Sequence, residues 1–559
     1  MSSAPPLALP SPAPLSGRGW IALWLLIGLA LRLYPILWGS AIHDPDQFAL
    51  HPDESKIVRY ADDFPDSLAT NEDFRYPLLV HHVGSLAWWP VKTAFGWGDD
   101  GVLVKYSEDQ DWMPDGASMV GDWSYERALL FLRALLVLIF GLGGTLLILA
   151  YARRLGFGRA GPWIAAATAL QPWPVVTNAV VQTDTAGAFM LLLVFHVALV
   201  VDQRKRFEGS DALRLGLALG AAVAARYTSG IGVVAVLTIA AAAVRRGDLS
   251  ISRGAAFLAK TGAVSLATFV AIVPGCVYRF EDFKNSIVYE YRSKQEITSW
   301  DLDQFWDALT QCAPVWILVP SAVGLALLGR GHRSAALLGA ILSLSAYFAT
   351  AAKALVPDYC MPLMPLAAAC TGITLSTLSR WRPAGAGRAI AAAYVLCALG
   401  MTAATVYQRY ASDTRYRADD WIKAHIPPGP LGFPPSALGK KRTALRAPAG
   451  YEFVDVHTKP EWIVFPRRRF LPIYNVFEDP NYYPRFPFDP VKRTLGRLGP
   501  RDFDFFEDVL FERRRGYRYD LVETIERSDW PLDYRGYDVR IYRKSAEDGD
   551  GPLSSDSPR

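Results

Sequence analysis

Two adjacent carboxylates, Asp53 and Glu54, follow the first long apolar segment of the chain in a His-Pro-Asp-Glu run that begins at His51. A carboxylate at a membrane surface can accept a proton from an incoming hydroxyl or amine, or bind a metal ion. Proline followed by acids is also an ordinary helix start, and such a start favours an ionised Asp53. Adjacent helical residues point about 100° apart, so one carboxylate faces a cleft while the other caps the helix, bonds a neighbour or orients an acceptor.

Arg226 is a second candidate, because it interrupts an apolar stretch that is too long for one membrane span and just long enough for two. A charge at membrane depth costs about 2.5 to 3.5 kcal/mol on insertion scales, so it usually pairs or lines a cavity. Two interpretations are open. Arg226 is either a snorkelling residue at the turn between two spans or a phosphate ligand, since guanidinium matches phosphate oxygens bidentately.

Three further positions complete the set of candidates. Lys353, with Tyr359 close behind it, follows an apolar segment, where it either adds a second positive group or anchors a helix at the interface. Asp184 is the acid in a very short connection between two apolar segments, where it either orients a sugar or caps a helix. His81 and His82 are neighbours, which is poor geometry for holding one metal ion from a helix, so we assign them structural roles.

Membrane helices are the elements that must position these residues. The chain is 51% apolar, yet its mean hydropathy is only +0.14, so the chain must contain hydrophilic segments as well as membrane spans. A helix needs about 20 apolar residues to cross the hydrocarbon core. Eleven segments meet this criterion: 20–38, 128–150, 161–181, 185–201, 212–226, 229–244, 255–277, 313–329, 334–352, 360–379 and 388–407.

Lys and Arg follow alternate predicted spans, which indicates the orientation of the chain. Short cytoplasmic loops collect Lys and Arg during insertion, and clusters of these residues follow the second, fourth, sixth, eighth and tenth predicted spans. We therefore predict that the amino terminus is cytoplasmic. Eleven crossings then place the segment after Tyr407 outside.

The predicted organisation is a multi-span α-helical membrane protein with a small α/β extracytoplasmic carboxyl-terminal domain. The predicted parts are a cytoplasmic tail 1–19, a membrane domain 20–407 with an outer loop 39–125, an α/β domain 408–543 and a disordered tail 544–559. The outer loop holds sixteen Asp and Glu against five Lys and Arg, a formal charge of −11. Within it we predict two helices that lie at the interface without crossing, one from Ile57 and one over 76–97.

Several function classes lack their sequence signals. The chain contains neither a phosphate-binding P-loop nor a dinucleotide-binding glycine motif, and its predicted cytoplasmic loops are too short for a nucleotide-binding domain. An activated substrate must therefore arrive through the lipid phase or from outside. The net charge of +4 gives no nucleic-acid signal. The five cysteines lack Cys-x-x-Cys spacing and are interpreted as buried thiols, with a Cys276–Cys312 bridge left open.

The order of the motifs resembles a known family. The motifs are the Asp-Glu pair, Phe74-Arg-Tyr-Pro, Gln171-Pro-Trp-Pro before Asp184, Arg226, Lys353 with Tyr359, and Asp413-Thr-Arg. Taken in this order they resemble the polyprenyl-phosphate-dependent glycosyltransferases of the GT-C type, similar to bacterial aminoarabinose transferases and to protein O-mannosyltransferases. The His-Pro-Asp-Glu run also resembles that of the GPI mannosyltransferases.

The resemblance implies roles for individual residues. Asp53 would be the catalytic base, with Glu54 beside it, and Arg226 and Lys353 would hold the donor phosphate. The remaining substrate contacts would be His51, Arg75, Tyr76, Asp184 and Tyr359. Family members often have Lys where this chain has Arg226, which keeps the charge but changes the hydrogen-bond geometry.

The function implied by the resemblance is the inverting transfer of a sugar from a polyprenyl-phosphate donor to a lipid, glycan or protein acceptor. No cofactor and no nucleic acid is expected, and the partners are the donor, the acceptor and membrane lipids. The expected location is a bacterial inner membrane, with the active site on the extracytoplasmic side.

Three alternatives are weighed against this function. One is a transporter or flippase of a lipid-linked sugar, which would not obviously need the acidic outer loop. Another is a metal-dependent oligosaccharide transferase in which Asp53, Glu54 and Asp184 gather a divalent ion. The last is a non-catalytic assembly scaffold.

Overall fold

The computed structural model describes most of the predicted membrane domain and parts of the loop and tail. The described residues are 17–38, 54–70, 74, 77–96, 123–295, 302–331, 334–351, 357–381, 384–411, 413–433, 447–466, 519–525 and 539–544. The chain forms two units. Unit 1 comprises Met1–Ile36, Lys56–Gly96 and Arg127–Val406, and unit 2 comprises Leu37–Ser55, Trp97–Glu126 and Tyr407–Arg559.

Helices make up nearly all of the described part of unit 1. The first ten described helices of the chain are α1 Arg18–Leu33, α2 Glu54–Asp62, α3 Ser67–Thr70, α4 Leu79–Ala94, α5 Trp123–Leu136, α6 Gly143–Arg154, α7 Gly161–Ala169, α8 Pro172–Asn178, α9 Thr183–Arg204 and α10 Gly209–Ala225. The next nine are α11 Val233–Arg246, α12 Ile251–Ile272, α13 Gly275–Tyr278, α14 Phe280–Gln295, α15 Leu302–Cys312, α16 Val315–Gly331, α17 Ala335–Ala351, α18 Met364–Leu378 and α19 Ala384–Ala411.

Short turns of other helix types link some of these helices. A π-helical turn, Val137–Leu142, joins α5 to α6, and 3₁₀ turns cover Tyr34–Leu37, Gly158–Ala160, Tyr227–Gly232 and Pro357–Leu363.

Seven of the described helical segments are long and apolar enough to cross a membrane, and the chain is a multi-pass membrane protein. These segments are Arg18–Leu37, Glu126–Arg154, Thr183–Arg204, Tyr227–Arg246, Ile251–Ile272, Asp358–Leu378 and Gly385–Gln408. Two shorter apolar helices cover Val315–Gly329 and Ala335–Ala349. Each of the eleven predicted segments falls on helix, while the count of eleven crossings stays a prediction.

The third predicted span differs from the prediction because it is two short helices, α7 and α8. Gln171 stands between them with an extended ψ of 110°. Pro172 explains the break, since proline lacks an N–H donor and disfavours helical geometry in the residue before it. α8 is therefore a separate short helix, and it directly precedes α9, which contains Asp184.

The close packing of α10 against α12 fixes the helix that ends at Arg226. A Cβ atom on Gly216 would lie 2.5 Å from Val264 Cβ, and one on Gly220 would lie 2.4 Å from Ser265 O. Small residues let helix backbones approach in this way inside membranes. The end of α10 is therefore held in a defined position.

Asp202 joins three helices at the carboxyl-terminal end of α9. Its carboxylate accepts hydrogen bonds from Arg246 Nη2 at 2.9 Å, Ser334 Oγ at 3.1 Å and the Ala336 backbone N–H at 3.3 Å. Because Arg246 ends α11 and Ala336 lies in the first turn of α17, this carboxylate ties α9, α11 and α17 together.

The described part of unit 2 contains a small mixed sheet, which confirms the predicted α/β domain. Its elements are α20 Thr414–His425 and the strands β1 Pro430–Phe433, β2 Glu452–Asp455, β3 Trp462–Pro466, β4 Tyr519–Ile525 and β5 Val539–Lys544, with a 3₁₀ turn at Val456–Thr458. The strand order is β2-β1-β3-β5-β4. β1 pairs parallel with β2 and β3, and β5 pairs antiparallel with β3 and β4.

The core of this sheet is apolar, and α20 contributes to it. Ala418 and Ile422 of α20 are fully buried in the same cluster as Ile463, Val464 and Phe465 of β3. The predicted boundaries at 407 and 543 stay predictions, and the predicted disordered tail beyond Lys544 lies outside the described residues.

Two smaller predictions can also be compared with the structure. α2 and α4 confirm the two helices that we predicted in the outer loop; Trp88 of α4 is buried and Trp89 is exposed. All five cysteines are free, so the bridge between Cys276 and Cys312 that the sequence left open is absent.

Candidate functional site

Arg226 lies at the junction of two elements of unit 1. It follows α10 in an extended conformation, with φ −159° and ψ 126°, and the 3₁₀ turn Tyr227–Gly232 begins directly after it. Its backbone N–H still donates to Ala222 O at 3.0 Å. Only 11% of its side chain is exposed, so the guanidinium is directed into the protein and does not snorkel along its surface.

Three neighbours hold the Arg226 side chain. Nη1 forms an ion pair with Asp184 of α9, and Nε donates to Thr228 Oγ1 at 3.0 Å. The guanidinium carbon lies 4.7 Å from the ring centroid of Tyr359, which is cation–π geometry. Among the described residues, Nη2 has no hydrogen-bond partner, so the guanidinium keeps donors for a further group.

The backbone of α9 approaches Arg226 closely at Gly187. A Cβ atom at this position would lie 2.7 Å from Arg226 Cβ, which real Cβ atoms essentially never show. Ser229 Oγ also donates to Gly187 O at 3.2 Å. The glycine therefore permits the approach that lets Asp184, one turn earlier on α9, reach the guanidinium.

Phe74 connects the Phe-Arg-Tyr-Pro run of the outer loop to the turn after Arg226. The Tyr227 hydroxyl donates to Phe74 O at 2.7 Å, and Phe74 N–H donates to Ser286 Oγ at 3.3 Å. The Phe283 ring lies 6.1 Å from the Phe74 ring and 6.2 Å from the Tyr227 ring, both edge-to-face. Phe74 is thus held next to the Arg226 turn by hydrogen bonds and aromatic packing.

Glu54 is the first residue of α2, and its side chain is fully buried. A buried carboxylate that has partners of its own is suited to holding the helix start in place. The other predicted site residues are His51, Asp53, Arg75, Tyr76 and Lys353, and they lie outside the described residues. Whether Asp53 and Arg226 open onto one pocket therefore stays a prediction.

The structure brings together three residues that the sequence indicated separately, namely Asp184, Arg226 and Tyr359. Gln182 is the N-cap residue of α9, so Asp184 pairs with Arg226 and does not cap the helix. Thr228 was not among the predicted site residues. The signal that could have indicated it is a hydroxyl side chain two residues after a lone arginine in an apolar stretch.

The described part of the chain holds no group of three or more His, Cys, Asp or Glu side chains that could bind a metal ion. Because Asp53 lies outside that part, the metal-dependent alternative stays untested.

The two histidines of α4 pack in the loop helices. His82 Nε2 donates to Ile272 O at 2.8 Å, and the Tyr60 hydroxyl lies 3.5 Å from His82 Nδ1. Burial lowers the pKa of His82, so the neutral ring is favoured. The His81 ring packs edge-to-face on Tyr60 at 5.1 Å. Both rings therefore have packing roles in the structure.

Comparisons with known proteins found likeness at the level of structure. No family model and no curated protein sequence matches the chain. Among solved structures, ArnT from Cupriavidus metallidurans bound to undecaprenyl phosphate is similar over 94% of this chain and 98% of its own, with 15% identity and a TM-score of 0.48.

The archaeal oligosaccharyltransferase AglB from Archaeoglobus fulgidus, in complex with an inhibitory peptide and a dolichol-phosphate, is also similar. The match covers 82% of this chain and 70% of AglB, with 12% identity and a TM-score of 0.47. Both proteins are of the GT-C type, the class that the sequence resembles. With TM-scores below 0.5, we take the function of this chain from its own side chains.

Proposed function

We propose that this chain is a membrane glycosyltransferase that moves a sugar from a polyprenyl-phosphate donor to an acceptor, with Arg226 binding the donor phosphate. The observation that carries the proposal is the Arg226 guanidinium, which is mostly buried, oriented by Thr228 and Tyr359, and left with an unpaired Nη2 group among the described residues. Guanidinium groups bind phosphate oxygens bidentately, and the donor proposed here carries a phosphate.

The proposed reaction is an inverting displacement. The acceptor hydroxyl or amine attacks the anomeric carbon, Asp53 takes its proton, and the bond from that carbon to the phosphate oxygen breaks. Polyprenyl phosphate leaves with one more negative charge, which Arg226 and Lys353 stabilise. A positioned base contributes about 10² to 10⁴ in rate, and preorganised cations lower the energy of the leaving group.

The remaining residues have supporting roles in this proposal. Glu54 is buried, so it holds the start of α2 and thereby Asp53. Asp184 offsets the charge of Arg226 when no donor is bound. His51, Arg75 and Tyr76 contact the substrate, and the bond between Tyr227 and Phe74 supports the placement of the last two next to the phosphate site.

We further propose that the reaction takes place on the extracytoplasmic face of a bacterial inner membrane. The basic residues that follow alternate apolar segments support this orientation, because such residues remain in the cytoplasm during insertion.

The test is transfer of a labelled sugar from a polyprenyl-phosphate donor in proteoliposomes that contain the full chain. Asp53→Asn should abolish transfer while expression and thermal stability stay unchanged. Asp66→Asn, an exposed acid of the same loop, serves as the matched control and should transfer at the normal rate. Near-normal turnover by Asp53→Asn would remove the assignment of the base.

The same preparation separates the alternatives. Movement of the labelled lipid across the bilayer without transfer would indicate a flippase. Loss of transfer after treatment with a chelator would indicate the metal-dependent enzyme.

A further inference from the structure

A second buried arginine, Arg32, lies in α1, within a segment that the sequence analysis treated as a plain membrane span. Only 3% of Arg32 is exposed. Its Nη1 donates to Gly28 O at 2.9 Å and its Nη2 donates to Thr168 O at 2.9 Å. Within the part of the chain that the structure describes, no carboxylate forms an ion pair with it, unlike Arg226.

The two carbonyl groups offset only part of this charge. Thr168 lies in the last turn of α7, where the helix dipole supplies about half a negative charge, whereas Gly28 lies before the last turn of α1 and contributes only its own carbonyl dipole. A buried cation normally has a full counter-charge nearby. Arg32 is therefore available to an anion from outside the protein.

A cavity of about 50 Å³ lies beside Arg32 and is also lined by Gly141, Asn178 and Thr185. A water molecule needs roughly 10 to 15 Å³ by this measure, so the space suits several waters or a group of about five heavy atoms. Gly141 keeps this space open, since a Cβ atom there would lie 3.0 Å from Arg32 Cδ and 3.2 Å from Asn178 Nδ2.

Three side chains that line this cavity carry buried polar atoms without a hydrogen-bond partner among the described residues. These atoms are Arg32 Nε, Asn178 Oδ1 and Thr185 Oγ1. Each of the three residues is more than nine-tenths buried. Buried polar groups are paired in most native structures, so three neighbouring exceptions indicate a missing polar group.

The first turns of α9 separate this cavity from the Arg226 site. Asp184 and Gly187 face Arg226, whereas Thr185, Ala188 and Phe189 line the cavity. At about 100° per residue, these two sets point to different sides of the helix. The cavity is thus a separate site that shares a helix with the first.

We propose that this cavity binds a phosphate group, with Arg32 supplying the counter-charge and a donor at Nε, and the Thr185 hydroxyl supplying a second donor. A singly protonated phosphate carries the negative charge that Arg32 needs, accepts hydrogen bonds from Arg32 Nε and Thr185 Oγ1 through its oxygens, and donates its own hydroxyl to Asn178 Oδ1. The same chemistry is present in inorganic phosphate and in the head group of a lipid phosphate.

The experiment measures binding to the purified full chain in the Arg226→Met, Lys353→Met background, which removes both phosphate ligands of the proposed donor site. The probes are labelled inorganic phosphate, farnesyl phosphate and farnesol. We expect one equivalent of a phosphate-bearing probe to bind and farnesol to bind at least tenfold more weakly, about the effect of losing a charge-assisted hydrogen bond.

Binding of farnesyl phosphate alone would identify a lipid phosphate, and binding of both phosphates would identify the phosphate group itself. If neither binds, the proposal is overturned, and Arg32 only clamps the ends of α1 and α7. Because no transfer is measured, this outcome is independent of whether the chain is a glycosyltransferase.

Substitutions then test the residues. Arg32→Met should abolish binding and Arg32→Lys should retain part of it, but both lose the hydrogen bond to Thr168 O that joins α1 to α7. Thr185→Val avoids this difficulty, because it removes a hydroxyl that has no hydrogen-bond partner among the described residues. We expect its melting temperature to be unchanged or raised and its phosphate affinity to fall about tenfold.

Thr238→Val is the matched control, since that hydroxyl donates to Val234 O of its own helix and lies outside the cavity lining. Its phosphate affinity should equal that of the parent. Equal affinity in the parent and in Thr185→Val would overturn the assignment of Thr185 and, with retained binding in Arg32→Met, the site itself.

Discussion

Two buried Arg–Asp pairs, one in each unit, are built in different ways. In unit 2, Asp413 and Arg415 are two residues apart, and both carboxylate oxygens are fully used. Oδ1 accepts from Arg415 N–H and Nε, each at 2.9 Å, while Oδ2 accepts from Arg415 Nη2 at 2.6 Å and Trp38 Nε1 at 3.1 Å. The guanidinium also lies over the Trp38 ring at 5.5 Å.

In unit 1, Asp184 and Arg226 come from different helices, and their pair is incomplete. Nη2 of Arg226 has no partner among the described residues. The exposed fractions of the Arg226 and Asp184 side chains are 11% and 13%, whereas those of Arg415 and Asp413 are 4% and 9%. A pair whose bonds are all made within the protein can only stabilise it. A pair with donors left over can also bind a substrate, and this difference is the reason why we propose a structural role for Asp413 and Arg415 and a functional role for Asp184 and Arg226.

The largest expected effect tests the structural pair. Asp413→Asn leaves the Arg415 charge buried without its counter-charge, which typically costs about 3 to 5 kcal/mol of unfolding free energy. Thermal or denaturant unfolding of the purified chain measures the loss. Asp420→Asn, an exposed position of the same helix, is the control and should be within about 0.5 kcal/mol of the parent. Equal stability of the two variants would contradict the structural role.

The same pair predicts a pH dependence. Burial alone would raise the pKa of the Asp413 carboxyl, but the charge and hydrogen bonds of Arg415 hold it below its usual value. A carboxyl with a lowered pKa stabilises the fold above its unfolded pKa of about 3.9, and this contribution is lost as the pH falls through the folded pKa. The stability difference between the parent and Asp413→Asn should therefore be constant near neutral pH and shrink in acid. A stability difference that grows in acid would mean that the pKa of Asp413 is raised in the folded protein, contrary to this prediction.

The next effect tests the proposed functional pair. Arg226→Met should lower the transfer rate by about 10² to 10³, the usual cost of removing a preorganised group that stabilises developing charge. Arg226→Lys keeps the charge without the bidentate geometry and should lose about tenfold. Transfer in proteoliposomes, with the amount of folded protein measured in parallel, checks both values.

Arg226→Met also leaves Asp184 unpaired, so its stability needs a control. The double variant Arg226→Met with Asp184→Asn removes both charges and should restore the melting temperature but not the transfer rate. If the rate returned with the stability, Arg226 would be a structural residue like Arg415.

The sequence predicted the helices of unit 1 well because the signal for a membrane span is a long apolar run, and this signal does not depend on how the other helices pack around it. It predicted the third span as one helix over 161–181, although Pro172, which explains the observed break, is visible in the sequence. Short β-like runs over 461–465, 521–525 and 537–542, of which the last alternates, predict strands, and they overlap the observed β3, β4 and β5.

The pairings between distant residues could not be predicted. Asp184 and Arg226 were each identified as unusual charges, but only the packing of α9 against the end of α10 makes them partners. Arg32 was missed although it is a lone charge in an apolar segment, because its place near the end of a span resembles an interfacial anchor. Its burial and the cavity beside it depend on α6, α8 and α9, which no local pattern indicates.

A smaller effect distinguishes two roles of Asp184. If its carboxylate competes with the donor phosphate for Arg226, Asp184→Asn should tighten the binding of polyprenyl phosphate roughly fivefold, about 1 kcal/mol of relieved repulsion. Product inhibition of transfer measures this affinity. Weaker binding in Asp184→Asn would show instead that Asp184 orients the guanidinium, which would make the two Arg–Asp pairs more alike than we propose.

The smallest effect concerns the ring beneath the guanidinium. Tyr359→Leu removes the cation–π contact, worth about 0.5 to 1 kcal/mol at a partly open site, so kcat/KM for the donor should fall about two- to fivefold. Tyr359→Phe keeps the ring and should behave like the parent if the face of the ring is what matters. A Phe variant as impaired as the Leu variant would assign the effect to the hydroxyl. The Trp38 ring lies against the Arg415 guanidinium in the same way. Trp38→Leu should therefore lower stability but leave kcat/KM for the donor unchanged. Each aromatic ring would then support the role of the arginine that it contacts.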